Sequence, residues 1–473
     1  MASTAPPFSA PEIVRGASAL TIDSRDAREG AIFVALRGTR TDGHRFIDDA
    51  LARGARTIVM EQHRELPAGV RGIVVQNSAR ALAELASAFY GAPAEALKLI
   101  GITGTNGKTT TASMVAAILN AAGVRAGVIG TLGASLLEYR RPLSNTTPLA
   151  DELHKALAEL RARNADAVVL EASSHALALD RVVGLQFAVA ALTNVTRDHL
   201  DFHGTFASYA TAKRALFDQC DRAVFNLDDE CGQAWAREFD PARTMTYSLC
   251  GKADYVAENI VLSASGSRFA VDGVTFEIPI AGRFNVANAL CAIALVRALE
   301  IDLPTAAQAL RALASVRGRM EALEAGSLRV FIDYAHTPDA LSAALHSLRE
   351  LDPKSLTVVF GCGGDRDRGK RAEMGMVAAQ LADRVVVTSD NPRSEAPAAI
   401  ADEIVAGMAG AKHEILLDRR SAIERAIEDA QPGEIVLVAG KGHETSQTIG
   451  GDVIPFDDRD VATSALRRRS EHR

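Results

Sequence analysis

Apolar positions along the chain fall into short continuous runs separated by amphipathic stretches. Runs at 31–36, 56–60 and 72–75 precede helix-spaced residues at 78–90, and Gly91-Ala92-Pro93 punctuates their end. The run 97–103 leads straight into Gly104-Thr105-Asn106-Gly107-Lys108-Thr109, and a helical pattern at 110–122 stops at Gly123. Further runs at 167–170, 187–192 and 222–226 have helical segments between them. Strands that alternate with helices predict a mostly parallel sheet covered on both faces. Residues 253–280 alternate instead and carry Ser265-Gly266 and Asp272-Gly273, which predicts an antiparallel insert. Residues 285–300 are helical again. From Arg317-Gly318 onward, runs at 328–332, 356–360, 384–388 and 434–439 set up a second strand–helix alternation. The expected fold class is α/β in three domains, 1–97, 98–317 and 318–473.

Composition narrows the classes. A chain of 473 residues fits three domains at roughly 150 residues each. Apolar residues at 48% and charged ones at 23% exclude a disordered chain, a collagen and a coiled-coil rod. A net charge of −7 argues against a general nucleic-acid binder, which needs surplus cations to displace phosphate counterions. The cysteines (Cys220, Cys231, Cys250, Cys291, Cys362) are few and show no metal-ligand spacing, which points to a reducing compartment. No run reaches the roughly eighteen apolar residues of a membrane span, so no membrane insertion and a cytoplasmic location are expected. Residues 1–12 are rich in Ala, Ser and Pro without a charged start; they are expected to form a short disordered leader rather than a secretory signal. The basic tail 467–473 is expected to be solvated.

The loop 104–109 carries the first chemistry. Placed between a strand and a helix, its glycines let backbone N–H groups approach phosphate oxygens. Lys108 can reach the outer phosphates, and the Thr109 hydroxyl can ligate Mg²⁺. The spacing departs from the usual G-x-x-x-x-G-K-[ST], because Ile102 stands where the first glycine is expected. The loop is expected to take a nucleoside phosphate, and the central domain to be a P-loop ATPase-like parallel sheet. The loop alone names no reaction, since kinases, GTPases, motors and ligases all carry one.

Other residues gather at strand ends. Glu171 closes the run 167–170 and precedes Ala172-Ser173-Ser174-His175; it could hold Mg²⁺ or cap the next helix. Asn194 and His199 stand in the loop Thr193-Asn194-Val195-Thr196-Arg197-Asp198-His199-Leu200-Asp201. Lys213 lies in a helical segment at 209–217, where a lysine is ordinarily a solvated face.

In order along the chain, these elements resemble one family over about residues 20–465. The phosphate loop through Thr110, Glu171 to His175, Asn194 to Asp201, Lys213, Gly282-Arg283-Phe284-Asn285, Gly318-Arg319-Met320-Glu321 and Asp333-Tyr334-Ala335-His336-Thr337-Pro338 are similar to the motifs of the Mur ligases. These are ATP-dependent amide-forming enzymes of peptidoglycan precursor synthesis. The resemblance implies that Lys213 is carbamoylated and, with Glu171 and Thr109, holds Mg²⁺. It implies that Asn285, Arg319 and Asp333 contact ATP together with the phosphate loop (Gly104, Thr105, Asn106, Gly107, Lys108, Thr109, Thr110). Lys108, Glu171, His199 and Lys213 are the catalytic candidates, with His199 and water both open as the base for the amine. The C-terminal domain is then a Rossmann-like α/β unit that binds the amino acid.

Two further likenesses narrow the substrates. Thr21-Ile22-Asp23-Ser24-Arg25, Gly30 to Leu36 and Asp42 to Phe46 resemble the N-terminal domain of members that act on UDP-MurNAc-L-Ala-D-Glu. Ile22 and Ser24 would touch the UDP moiety, and Asn145, Thr146, Thr147, Ser173 and Arg181 the muramoyl peptide. Asn145-Thr146-Thr147-Pro148 could also N-cap a helix at 149–161. Leu179 departs from members that carry glutamine there. Asp390-Asn391-Pro392-Arg393 resembles the signature of members that add meso-diaminopimelate, with Arg366, Gly440 and Glu444 as further contacts. A guanidinium grips a carboxylate through two hydrogen bonds, and lysine lacks the distal carboxylate that diaminopimelate offers. The alternative is that Pro392-Arg393 is a plain surface turn. The expected reaction passes through an acyl phosphate in a monomeric enzyme. Rival readings are a lysine-adding ligase, a folylpolyglutamate synthetase-like ligase, a P-loop kinase and a non-catalytic nucleotide binder.

Overall fold

The structure is a computed structural model that describes residues 8–38, 41–326 and 328–471. It divides into two compact units, Met1–Thr103 with Ala122–Ala191 and Thr211–Ala223, and Gly104–Ala121 with Leu192–Ala210 and Val224–Arg473.

In the first unit, the strands Leu20–Thr21, Ile32–Val34, Thr57–Met60 and Arg71–Val74 form a parallel sheet in chain order. Successive side chains on a strand face opposite ways. Ile32, Val34 and Val59 therefore join the core under the helix Ser78–Phe89, with Leu82, Leu85 and Ala86. Phe33, Ile58 and Met60 join the other core, with Ile47 and Ala50. Asn77 starts the helix by accepting from the N–H groups of Ala79 and Arg80.

A second sheet in this unit has the order Phe187–Leu192, Lys98–Thr103, Ala167–Glu171, Ala126–Gly130, Gly133–Leu136, Tyr139–Arg141. Its middle pairs are parallel and its last two pairs antiparallel. Val168 to Leu170 and Leu99 to Ile102 are buried throughout, as strands covered on both faces should be.

In the second unit, the helix Lys108–Ala121 opens at Lys108, two residues before the sequence pattern places it. Lys108 and Thr109 thus sit in its first turn. The antiparallel insert is present as Glu258–Ser263, Gly266–Val271 and Val274–Ile278. The helix Arg283–Ala298 follows, buried along most of its length. The remaining sheet has the order Glu321–Ala325, Leu328–Asp333, Ile435–Ala439, Leu356–Phe360, Arg384–Val387, Glu414–Ile415. Only its first pair is antiparallel. The loops after Asp333, Phe360, Val387 and Ala439 therefore leave from one edge, the carboxyl ends of parallel strands, where α/β sheets bind ligands.

The chain's start differs from expectation, while Arg467 and Arg468 of the basic tail are exposed as expected. Residues 1–7 lie outside the described residues, but Ala10–Val14 is a helix with Ala10 and Ile13 buried, so the expected leader is ordered from there. The basic tail belongs to a helix, Asp458–Glu471. Its Val461, Ala462, Ala465 and Leu466 pack into the core, and the Arg469 guanidinium donates to the carbonyls of Ile427 and Glu428. The apolar spacing of this helix outweighs its charge.

Candidate active site

The phosphate loop is built from neighbours distant in sequence. Thr193 Oγ1 donates to the Asn106 carbonyl at 2.6 Å, and Asn194 Oδ1 accepts from Asn106 N at 2.9 Å. Thr105 Oγ1 lies 2.9 Å from Tyr209 Oη and accepts from Thr196 N. At φ +147°, Gly104 has a conformation that L side chains rarely adopt, and a Cβ there would overlap Thr193 Oγ1. Lys108 Nζ folds back onto the carbonyls of Gly104 and Thr105, at 2.8 and 2.9 Å. Its ammonium is thereby held over the loop.

Arg319 donates to Thr109 Oγ1 at 3.2 Å and lies over the Tyr334 ring, 4.6 Å from its centroid. Asp333 accepts from Met320 N and Ala335 N at 2.7 and 2.8 Å; burial pushes its carboxyl up against these bonds and the Arg319 charge. Asn285 is fully buried, donating to the Ala281 carbonyl and accepting from Asn288. Asn288, which the sequence motifs pass over, is the residue whose Oδ1 a Cβ at Gly107 would overlap. Its position one helical turn after Asn285 is the signal that could have found it.

Glu171 ends its strand fully buried and does not cap the next helix, a task Ser173 performs for Ala176 N. Its carboxylate accepts from Thr131 N and Thr131 Oγ1 at 2.9 and 3.0 Å. Gly130 leaves the room, since a Cβ there would overlap Glu171 Oε1. Asn145-Thr146-Thr147-Pro148 does not cap the following helix either: the N-cap of Ala150–Ala162 is Leu149, which makes no side-chain bond. Thr147 Oγ1 instead donates to the Glu171 carbonyl and accepts from Ser173 N, while Arg181 donates to the Thr147 carbonyl at 2.8 Å. Thr146 Oγ1 meets Thr131 Oγ1 at 3.1 Å. Asn145 is exposed beside Ser144. The structure thus gathers Thr146, Thr147, Glu171, Ser173 and Arg181 into one polar cluster.

Lys213 is no solvated residue. It sits 1% exposed near the end of the helix Phe206–Arg214, which is displaced from the expected 209–217. His199 has φ 53° at the start of the short helix Leu200–His203, with Nε2 3.3 Å from Asp198 Oδ2. Among the described residues, no cluster of three or more His, Cys, Asp or Glu side chains could hold a metal. Ile22 lines a cavity of 590 Å³ with Arg28, Phe89, Tyr90, Arg141 and Lys155. Ser24 is buried in a neighbouring turn and does not line it.

The loop 390–393 is not a plain turn. Asp390, Asn391 and Pro392 are buried. Arg393, half-buried at φ 52°, donates from Nη1 to the Gly364 carbonyl at 2.7 Å. Burial, with Arg366 as the next cause, lowers its affinity for its proton. Asn391 Nδ2 and Lys441 Nζ both donate to Glu444 Oε2, at 2.7 and 2.8 Å. A Cβ at Gly440 would lie 2.6 Å from Asp390 Oδ2. Arg366 is exposed close by. Lys441, a buried cation that the motifs do not single out, holds Glu444 together with Asn391.

Comparison with known proteins now bears on this geometry. The chain matches the Mur ligase middle domain over residues 102–296, the glutamate ligase domain of Mur ligases over 318–442, and the Mur ligase family catalytic domain over 17–90. A curated relative from Chlorobaculum tepidum is 46% identical over 93% of this chain and 91% of its own length. The chain belongs to the Mur ligase family. That relative is named UDP-N-acetylmuramoyl-L-alanyl-D-glutamate--2,6-diaminopimelate ligase, as is one from Bacillus licheniformis, 42% identical over 95% of this chain and 94% of its own. A solved structure under the same name has a TM-score of 0.68 at 34% identity, covering 97% of this chain and 96% of that one. A folylpolyglutamate synthase from Mycobacterium tuberculosis, 20% identical with a TM-score of 0.62 over 83% of this chain and 95% of its own, shares the Mur ligase fold. The three-domain α/β architecture expected from the sequence is that of the family.

Proposed function

We propose that this Mur ligase is an ATP-dependent ligase that joins meso-diaminopimelate to UDP-MurNAc-L-Ala-D-Glu in peptidoglycan precursor synthesis. The observation that carries the reading is the braced loop 390–393, which presents Arg393 beside Arg366 at the carboxyl edge of the C-terminal sheet. Two guanidiniums that act on one another suit the distal carboxylate that separates diaminopimelate from lysine. Asp390, Asn391, Pro392, Gly440 and Glu444 shape the rest of that subsite. Relatives at 40–46% identity carry the same ligase name, and the folylpolyglutamate synthase likeness extends to the fold alone.

A carboxylate is a poor electrophile, because the leaving group would be oxide. Its oxygen attacks the γ-phosphorus of ATP, the bond to ADP breaks, and an acyl phosphate forms. The neutral amine of diaminopimelate then attacks the acyl carbon, and phosphate leaves as the amide forms. Lys108 and the loop N–H groups oppose the charge that builds on the transferred phosphoryl group. Arg319 and Asp333 hold the nucleotide, with Thr105, Asn106, Thr110 and Asn285 shaping its bed. His199 and solvent are the two acceptors for the amine's proton. Ile22 and Ser24 serve the UDP end, where the cavity at Ile22 is lined by rings, by the cations Arg28, Arg141 and Lys155, and by the carboxylates Asp26, Asp151 and Glu152. Asn145, Thr146, Thr147, Ser173 and Arg181 serve the muramoyl peptide.

Thr109 would offer Mg²⁺ a hydroxyl and Glu171 would offer it a carboxylate, the donor types this ion prefers; Gly130 is spared a side chain so that the Glu171 carboxylate has its place. When bound, Mg²⁺ neutralises phosphate charge. Lys213 is assigned as a carbamate, which turns a buried ammonium into an anionic ligand. The five free thiols fit a reducing, cytoplasmic setting, and no helix among the described residues is long and apolar enough to cross a membrane. The enzyme is taken to act as a monomer. The test is amine-dependent phosphate release from ATP with UDP-MurNAc-L-Ala-D-Glu, with the amide product identified by mass. ATP turnover without amide formation would return the kinase reading.

A further inference from the structure

Arg371 and Arg419 are the largest side chains buried completely among the described residues. Arg371 stands on the helix Gly369–Leu381, and its side chain shows no exposure. Its Nη1 donates to Glu395 Oε2 at 2.9 Å and to Glu403 Oε2 at 2.8 Å. Its Nη2 donates to Glu395 Oε1 at 2.8 Å and to the Gly363 carbonyl at 3.2 Å. One guanidinium therefore closes on two carboxylates and one loop carbonyl. The same Glu395 Oε1 accepts from Asp365 N at 2.7 Å, and Arg371 holds the Glu395 carboxyl down to a pKa of about 2.

Around this centre two loops are tied together. Gly364 N donates to the Asn391 carbonyl at 2.9 Å, and Asp365 Oδ1 accepts from Ser394 Oγ at 2.7 Å. Gly364 has no space for a side chain, since a Cβ would overlap the Pro392 carbonyl. The tied segments are those that carry Arg366 and Arg393. Glu395 thus stands two residues after Arg393 and accepts from the N–H of the residue before Arg366, while Glu403 also accepts from Arg368. Without Arg371, the Glu395 carboxylate would lose the fork that fastens the two loops to each other.

We propose that Arg371 is a positioning residue for the distal-carboxylate subsite. Through Glu395 and the Gly363 carbonyl it locks loop 363–366 to loop 391–395, so that Arg366 and Arg393 are held in place for the amino-acid substrate. The proposal rests on the reading above that these two arginines meet the distal carboxylate.

The test is steady-state kinetics of Arg371→Lys, Arg371→Gln and Arg371→Gln/Glu395→Gln, with Arg393→Gln in parallel. Arg371→Gln raises KM for meso-diaminopimelate about tenfold or more, the usual scale for a lost supporting partner. KM for ATP and for the UDP-linked substrate stays within about twofold. Arg371→Lys keeps the charge without the fork and gives a smaller rise. The added Glu395→Gln removes the carboxylate left unpaired between the two loops and recovers part of the loss. A purely structural arginine would raise all three KM values together and gain nothing from Glu395→Gln; either result overturns the proposal. Should Arg371→Gln fail to fold, Arg371→Lys decides, and an unchanged KM for diaminopimelate contradicts it. If Arg393→Gln raises that KM and the Arg371 variants do not, the positioning role alone fails. If Arg393→Gln leaves it unchanged, the subsite reading itself fails.

Discussion

The phosphate loop at 104–110 and the amino-acid loop at 390–393 both follow a buried parallel strand, yet they are held in place differently. The first is fastened by neutral groups: the Thr193 hydroxyl, the Asn194 amide and the Thr105–Tyr209 pair. Its one cation, Lys108, rests on carbonyls that it can leave. The second is fastened by charge. Arg371 grips Glu395 and Glu403, Lys441 grips Glu444, and Arg419 binds Asp458 while donating to the carbonyls of Ser389 and Ala439. The proposed phosphate loop is thus braced by hydroxyls and amides, with the Arg319 charge added at Thr109. The proposed amino-acid loop, which must tell one carboxylate from none, needs its arginine held in one place, and ion pairs hold the segments around it.

Breaking each loop by its own means sharpens the contrast. The largest effect falls on Lys108→Met, whose amide-forming kcat drops by about 10³-fold or more, because a fixed cation is lost from the charge-building step; ADP release under saturating substrates measures it. Lys213→Ala is expected to lose turnover by a similar order, with partial rescue by short carboxylic acids, and the wild-type protein to show the mass of added CO₂. Full activity of that variant without rescue would sink the carbamate assignment. On the charged side, Arg419→Met leaves Asp458 buried without its partner and costs about 3–5 kcal/mol in urea unfolding. The neutral loop responds less: Asn194→Ala costs about 1–3 kcal/mol through the unpaired groups at Asn106, with a matching weakening of ATP binding.

The smallest effect is one of pH. Burial, with Arg319 next, lowers the His443 pKa from 6.5 to about 3. Between these values the unfolded chain binds the proton and the folded one does not. The contribution is therefore present above pH 6.5 and lost as pH falls toward 3, with a slope of at most about 1.4 kcal/mol per pH unit. His443→Gln should flatten unfolding curves in that window.

Legibility in sequence follows the same divide. The phosphate loop, Glu171 and the Mur motifs are local strings and were readable as such, as were the apolar runs of the parallel strands. The strand Ala126–Gly130 was not, because its two glycines, one of them beneath Glu171, erase the apolar pattern. The hairpin Ser446–Ile449 with Asp452–Pro455 has too few apolar residues facing a core to announce itself. Arg371, Arg419 and Lys441 look like surface cations in the string. Their partners lie 24 and 39 residues away for the two arginines, and folding alone reveals that they are buried.

The most direct test of the central claim, that Arg393 sets the amino acid, is the ratio of kcat/KM for meso-diaminopimelate to that for L-lysine, in the wild type and in Arg393→Gln. The account predicts a wild-type ratio of about 10³ or more and a fall of at least about tenfold in the variant, carried by diaminopimelate alone. A wild type that accepts both amines equally, or a variant that keeps the full ratio, would contradict it.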